Sequence, residues 1–245
     1  MHHNLAGVAL ASGVGVVVAF VVGSIPFGYL ISRRQLRRDL RRLDRRHPGR
    51  EAELAALLTG TSASRAQPAD LPSPADIAGA ILDTVKVLGL AALVGVVVHH
   101  VGPGIRRGDI PSYGAVGFLS DQVLTAWQSA ALWAGMAAVV GHLCPVYLGF
   151  RTGQGQAPAL GLALRYLPFG FSAAVAAFLL GLAITRDVRR AVLISLPAFV
   201  AYAWLGWIYD LPHSYGAPNG PELALWAAVL AGVVGARTLG RAETQ

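Results

Sequence analysis

Two clusters of polar residues lie within otherwise apolar sequence, where each ionisable side chain is costly enough to be a functional candidate by default. The first is Asp83 and Lys86, three residues apart and so on one face of a helix. Lys86 is the sole lysine of the chain; its ammonium is a compact point charge suited to a phosphate, with Asp83 able to orient it. The same spacing also fits an intrahelical ion pair that reaches toward the membrane surface and binds nothing. The second cluster is Gly141-His142-Leu143-Cys144-Pro145, running on to Phe150-Arg151-Thr152-Gly153-Gln154-Gly155. A glycine-flanked turn between two helices can aim backbone N–H groups at an anion, and a helix starting near Gln156 adds its positive end. His142 is a candidate ligand or proton acceptor, or else an interhelical hydrogen bonder. Arg151 is a candidate phosphate ligand, or else a marker of the membrane boundary. His2/His3 and His99/His100 are adjacent pairs without metal-ligand spacing, so no metal or other cofactor is expected. No Ser-His-Asp arrangement is visible, and the single cysteine, Cys144, excludes an intrachain disulfide.

The elements that position these residues follow from composition. Of 245 residues, 54% are hydrophobic and 13% charged, half the charge of an ordinary soluble domain, so the chain reads as an all-α, polytopic membrane protein. A span needs roughly 20 apolar residues at about 1.5 Å rise, because unsatisfied backbone groups are too costly in hydrocarbon for anything but helix. Leu5–Ile31, Ile77–Val98, Val123–Phe150, Gln156–Ile184 and Ala191–Tyr209 meet or approach that length, and Leu223–Ala236 is a shorter sixth. Leu5–Ile31 is too long for a signal-peptide core and lacks a basic leader, so it reads as a retained span.

The net charge of +7 is one patch: Arg33–Arg50 holds nine arginines and two aspartates, and the rest of the chain balances. A charge confined to one stretch beside an apolar segment points to anionic lipid headgroups, not to nucleic acid. The positive-inside rule makes this loop cytoplasmic, with the N-terminus outside, the Arg106/Arg107 loop outside, and Arg151, Arg186, Arg189, Arg190, Arg237 and Arg241 inside. Gln156–Ile184 must then cross an even number of times. Arg165-Tyr166-Leu167-Pro168 near its middle predicts two short or re-entrant helices, hence about seven helical passes with the C-terminus in. Residues 1–245 form one membrane domain in this reading, and 32–75 are a cytoplasmic insertion. Within it Leu36, Leu40 and Leu43 share a helical face between arginine pairs, which predicts an interfacial helix or a plain topology anchor.

Four fragments, in this order, resemble the bacterial membrane glycerol-3-phosphate acyltransferases that use acyl-phosphate donors, the PlsY family. Gly23-Ser24-Ile25-Pro26-Phe27-Gly28-Tyr29-Leu30 resembles the end of that family's first helix, and Leu82-Asp83-Thr84-Val85-Lys86 its D-x-x-K helix. Gly141 to Gly155 resembles its G-H-x-x-P-V-F-x-G-F-K-G-G-K-G segment, the most specific of the four, and Thr185-Arg186 sits where a T-R pair opens a later helix. The resemblance implies a seven-helix enzyme of the plasma (inner) membrane, its active loops facing the cytoplasm. It would move an acyl group from acyl phosphate to the 1-hydroxyl of glycerol 3-phosphate, giving lysophosphatidate for phospholipid synthesis. It assigns catalytic roles to His142, Lys86 and the loop serines Ser62 and Ser64. Phosphate binding falls to Lys86, Arg151, Gly153, Gln154, Gly155, Ser24 and Asp83. An acyl phosphate is already activated, so cationic and N–H stabilisation of the leaving phosphate matters more than a covalent nucleophile.

The chain departs from the family pattern in three places. The S-G-N-x-G-A-T-N loop is reduced to Thr59-Gly60-Thr61-Ser62-Ala63-Ser64, and Gln154 stands for the lysine of G-G-K-G. The C-terminal R-H-x-x-N-I pattern is reduced to Arg237-Thr238. Each lost contact to a transition-state phosphate costs about 100-fold or more in rate. Two readings therefore stand: an acyltransferase in which Arg151 compensates, or an inactive relative acting as a lipid-binding or scaffolding membrane protein. A transporter would require paired broken helices in two related halves, and there is no internal repeat.

Overall fold

The computed structural model describes residues 5–25, 27, 74–102, 124–144, 147, 156–212 and 220–240. Among them are seven α-helices: α1 (Leu5–Gly23), α2 (Pro74–Val101), α3 (Ala126–Leu143), α4 (Gln156–Tyr166), α5 (Pro168–Thr185), α6 (Val188–Tyr209) and α7 (Pro221–Gly240). Residues 1–25 and 84–245 make one compact unit, and residues 26–83 another, of which Phe27 and Pro74–Asp83 are described. The expected Arg-rich helix and the loop after it lie outside the described residues. So do Ser62, Ser64, Arg151, Gly153, Gln154 and Gly155.

Among the described residues five helices are long and apolar enough to cross a membrane: α1, α2 from Ile77, α5, α6 and α7 to Leu239. Only Val8, Ala19 and Gly23 of α1 are buried by protein, whereas thirteen residues of α3 are. The two helices pack together along their length. α3 is thus the central helix, and it is rich in Ala, Gly and Ser because small side chains let neighbouring backbones approach. A helix sheathed by protein does not need high hydropathy, which explains why α3 falls outside the five. It is also shorter than the expected Val123–Phe150 span; it stops at Cys144, ahead of Pro145, whose ring disfavours helix at the residue before it.

The break expected at Arg165–Pro168 is present. Leu167 leaves the helical region (φ −140°, ψ 62°), and Pro168 opens α5. The two halves are unequal: α4 has 11 residues, about 16 Å, and α5 has 18, about 27 Å. α5 and α6 then form a tight hairpin. Arg186 takes a left-handed conformation (φ 53°), and the Asp187 carboxylate accepts from Arg189 N at 2.8 Å and Arg190 N at 3.4 Å, capping α6. The last helix exceeds the expected Leu223–Ala236 by several residues. It starts early because Glu222 is satisfied inside the bundle: its Oε1 accepts from Ser129 Oγ at 2.5 Å and Trp133 Nε1 at 2.7 Å on α3. A first-turn carboxylate also complements the positive end of α7.

These contacts fix the ends of the bundle. The starts of α3 and α7 lie together, tied further by Trp226 Nε1 donating to Leu132 O at 3.2 Å. At the opposite end, Arg189 Nη2 of α6 donates to Leu239 O of α7 at 3.2 Å. The close of α1 sits against the close of α3, as the glycines below show.

Candidate active site

The C-terminal ends of α1 and α3 meet without intervening side chains. A Cβ on Gly23 would lie 2.4 Å from Ala138 O, and one on Gly141 would lie 2.2 Å from Phe20 O and 3.0 Å from Ser24 Oγ. Backbone stands opposite in both cases, so a larger residue would force the helices apart. This close approach buries Ser24 completely, its hydroxyl donating to Phe20 O at 2.8 Å. It also buries His142, which follows Gly141 and is 6% exposed.

Lys86 reaches the same place from α2. Its Nζ donates to Gly23 O at 2.9 Å and to Ile25 O at 2.5 Å, the carbonyls on either side of Ser24. The last carbonyls of a helix lack intrahelical partners and carry the negative end of its dipole, so an ammonium is the complementary group. Asp83 is 4% exposed and accepts a hydrogen bond from Phe27 N at 3.3 Å. Asp83 and Lys86 each hold backbone groups, Phe27 N in one case and the carbonyls of Gly23 and Ile25 in the other. α4 comes close to α2 as well, since a Cβ on Gly161 would lie 2.3 Å from Thr84 Cγ2.

Of the residues expected at the site, Ser24, Lys86, Gly141 and His142 are therefore gathered around the end of α1. Arg237 entered the sequence reading as a topology marker and as the remnant of a C-terminal motif, and not as a site residue. Its Nε and Nη2 are buried with no hydrogen-bond partner among the described residues, so its guanidinium is prepared for an anion. Its appearance in the remnant of a C-terminal motif was the available signal. One turn before it, Val234 lines an apolar cavity of about 460 Å³ between α4, α5, α6 and α7, walled by Ala159, Phe171, Phe178, Val192 and Phe199 among others. Among the described residues its one polar lining side chain, Ser195, donates its hydroxyl to Val192 O at 2.7 Å. A space of that kind suits a hydrocarbon chain.

The family model described as glycerol-3-phosphate acyltransferase matches residues 13–239. Among relatives, the glycerol-3-phosphate acyltransferase of Chlorobaculum tepidum is 28% identical over 202 residues, 80% of this chain and 72% of that one. That of Pseudomonas savastanoi pv. phaseolicola is 42% identical over 101 residues, 40% of this chain and 50% of that protein, so the match spans about half the relative's length. The crystal structure of PlsY (YgiH), an integral membrane glycerol 3-phosphate acyltransferase in its glycerol 3-phosphate form, superposes with a TM-score of 0.50 at 16% identity. The superposition covers 95% of this chain and 90% of that one, which is a likeness of fold. Helices long enough to span a bilayer, a PlsY-like arrangement and a family match over nearly the whole sequence agree: this multi-pass membrane protein belongs to the glycerol-3-phosphate acyltransferase family.

Proposed function

We propose that the protein transfers an acyl group from acyl phosphate to the 1-hydroxyl of glycerol 3-phosphate, releasing inorganic phosphate and lysophosphatidate. The observation that carries this reading is the family match over residues 13–239. It is supported by the buried Ser24, Gly141 and His142 with the half-buried Lys86 at one end of the bundle, and by the apolar cavity on the α4–α7 side. In this reading the hydroxyl oxygen attacks the carbonyl carbon, a new C–O bond forms, and the bond to the phosphate oxygen breaks. Phosphate leaves with that electron pair, and the hydroxyl proton passes to His142. Lys86, Arg151, Ser24, Asp83 and the turn Gly153-Gln154-Gly155 bind the phosphates, with Ser62 and Ser64 contributing from the loop. Electrostatic stabilisation of this kind needs no covalent intermediate.

The proposed setting is the inner membrane, N-terminus out and C-terminus in, with residues 32–75 as an insertion on the cytoplasmic side and bound to anionic lipid. Support comes from Arg186, Arg189, Arg190 and Arg237, which lie at the same end of the bundle as His142. A second reading, an inactive relative that binds lipid, is favoured by Gln154 in place of lysine and by a Lys86 ammonium already held on two carbonyls.

The deciding experiment reconstitutes the full chain in lipid and supplies palmitoyl phosphate with and without radiolabelled glycerol 3-phosphate. Phosphate release that depends on the acceptor, together with labelled lysophosphatidate, is the expected result. A parallel arm with palmitoyl-CoA tests the donor. No labelled product from folded protein with either donor would leave the lipid-binding reading in its place.

A further inference from the structure

The far end of the bundle holds a second cavity that the proposed reaction does not use. It has a volume of about 640 Å³, within the range of small-molecule sites, and lies between the C-terminal half of α2, the N-terminal half of α3 and the end of α4. Its origin is the shortness of α4. α2 has 28 residues, about 42 Å, whereas α4 has 11 and stops at Tyr166, so among the described residues no helix fills the space beside α2 and α3 beyond that point. The site is remote from the candidate active site: Lys86 and His99 are thirteen residues apart on α2, about 20 Å.

The lining is divided by chemistry. Leu88 and Val96 from α2 and Leu132 from α3 are among its apolar lining, and His99, His100, Gln128 and Arg165 are among its polar lining. The guanidinium of Arg165 lies 5.5 Å from the centre of the Tyr166 ring, and among the described residues it forms no hydrogen bond or ion pair. Among the described residues no carboxylate lines the cavity; Glu222, next to the lining residue Leu223, is turned to Ser129 and Trp133 instead. Arg165 is exposed in the last turn of α4, where its charge is open to an anionic head. A planar, permanently charged fork above an apolar slot matches one ligand form, an anionic head on a hydrocarbon chain.

We propose that this cavity binds a single-chain lipid anion, the chain lying along the α2–α3 wall and the carboxylate or phosphate head on Arg165, flanked by His99 and His100. The bilayer is a source of such molecules, and a cavity of about 640 Å³ is in the range that takes one small ligand. The inference is independent of the acyltransfer reading, because it concerns a different end of the molecule.

Trp127 lines the cavity and provides the readout. The full-length protein in a neutral detergent is titrated with 9,10-dibromostearate, whose bromines quench tryptophan on contact. Saturable quenching is expected, and Trp127→Phe should remove the largest part of it. Arg165→Gln should weaken binding at least tenfold, and 9,10-dibromostearyl alcohol should bind the wild type as poorly as the acid binds that variant. Ala92→Phe, which fills the cavity and leaves Arg165 in place, should also abolish the Trp127 component; helical circular dichroism confirms folding of each variant. Displacement by excess lysophosphatidate but not by inorganic phosphate shows that head and chain are both read. Equal affinity in wild type and Arg165→Gln, quenching that survives Trp127→Phe unchanged, or full displacement by inorganic phosphate alone would overturn the proposal.

Discussion

Replacing Lys86 with methionine separates what this residue does for the fold from what it does for a substrate. The side chain keeps its length and loses the ammonium, so Gly23 O and Ile25 O lose the donor they now share. Hydrogen bonds from a charged donor contribute about 1.5–3 kcal/mol each, so the pair is worth about 3–6 kcal/mol gross. The freed side chain regains up to about 2 kcal/mol of rotamer freedom, which leaves a net loss of about 1–4 kcal/mol by the same accounting. For a chain of this size 1 kcal/mol moves the unfolding midpoint by about 2–4 °C, so a fall of about 5–10 °C is expected at mid-range. The assay is thermal unfolding of the detergent-purified protein, followed by circular dichroism, with Lys86→Arg as the comparison that retains charge. A Lys86→Met midpoint indistinguishable from wild type would refute the reasoning, because the two carbonyl bonds would then carry no weight in holding the end of α1. The result also governs how activity is read. If the midpoint falls as expected, lost turnover in Lys86→Ala is not by itself evidence of a phosphate contact, and turnover must be compared at temperatures where both variants are folded.

The glycine at the α1–α3 contact makes a second test. Gly141→Ala pushes a methyl against Phe20 O and should cost about 1–3 kcal/mol or more, whereas Gly89→Ala meets nothing within 4 Å and should gain up to about 1 kcal/mol from helix propensity; equal midpoints for the two variants would contradict the close approach. Glu222→Ala removes the acceptor shared by Ser129 and Trp133 and should destabilise by about 1–3 kcal/mol. Its signature is a red shift of tryptophan emission that is absent in a Trp133→Phe background, and an unshifted spectrum would count against the buried carboxylate bond.

Much of the architecture was legible in the residues because membrane insertion is decided locally. A run of apolar residues long enough to span hydrocarbon must be helix wherever its neighbours lie, and Pro168 interrupts a helix through its own ring. The misjudged ends share one cause. Hydropathy began the last span at Leu223, since it counts Glu222 as polar, yet Glu222 is held by two donors on α3. The third span was drawn as Val123–Phe150, whereas α3 runs Ala126–Leu143 and is capped at Cys144 ahead of Pro145.

The site was legible in its residue types and much less in its contacts. Ser24, Lys86, Gly141 and His142 could be chosen from the sequence because polar and glycine residues at span ends are few. That Lys86 holds the carbonyls of Gly23 and Ile25, that Gly141 touches Phe20 O, and that Arg237 has two buried, unsatisfied nitrogens among the described residues are facts of helix neighbourhood. In water, burial against protein marks a helix face by its apolarity. In a bilayer the lipid-facing and protein-facing sides are equally apolar, so periodicity carries little information about which helix meets which. The sequence alone determined a membrane protein of about seven helical segments, with a break before Pro168; only the tertiary structure decided which ends meet, and hence where the cations and the two cavities lie.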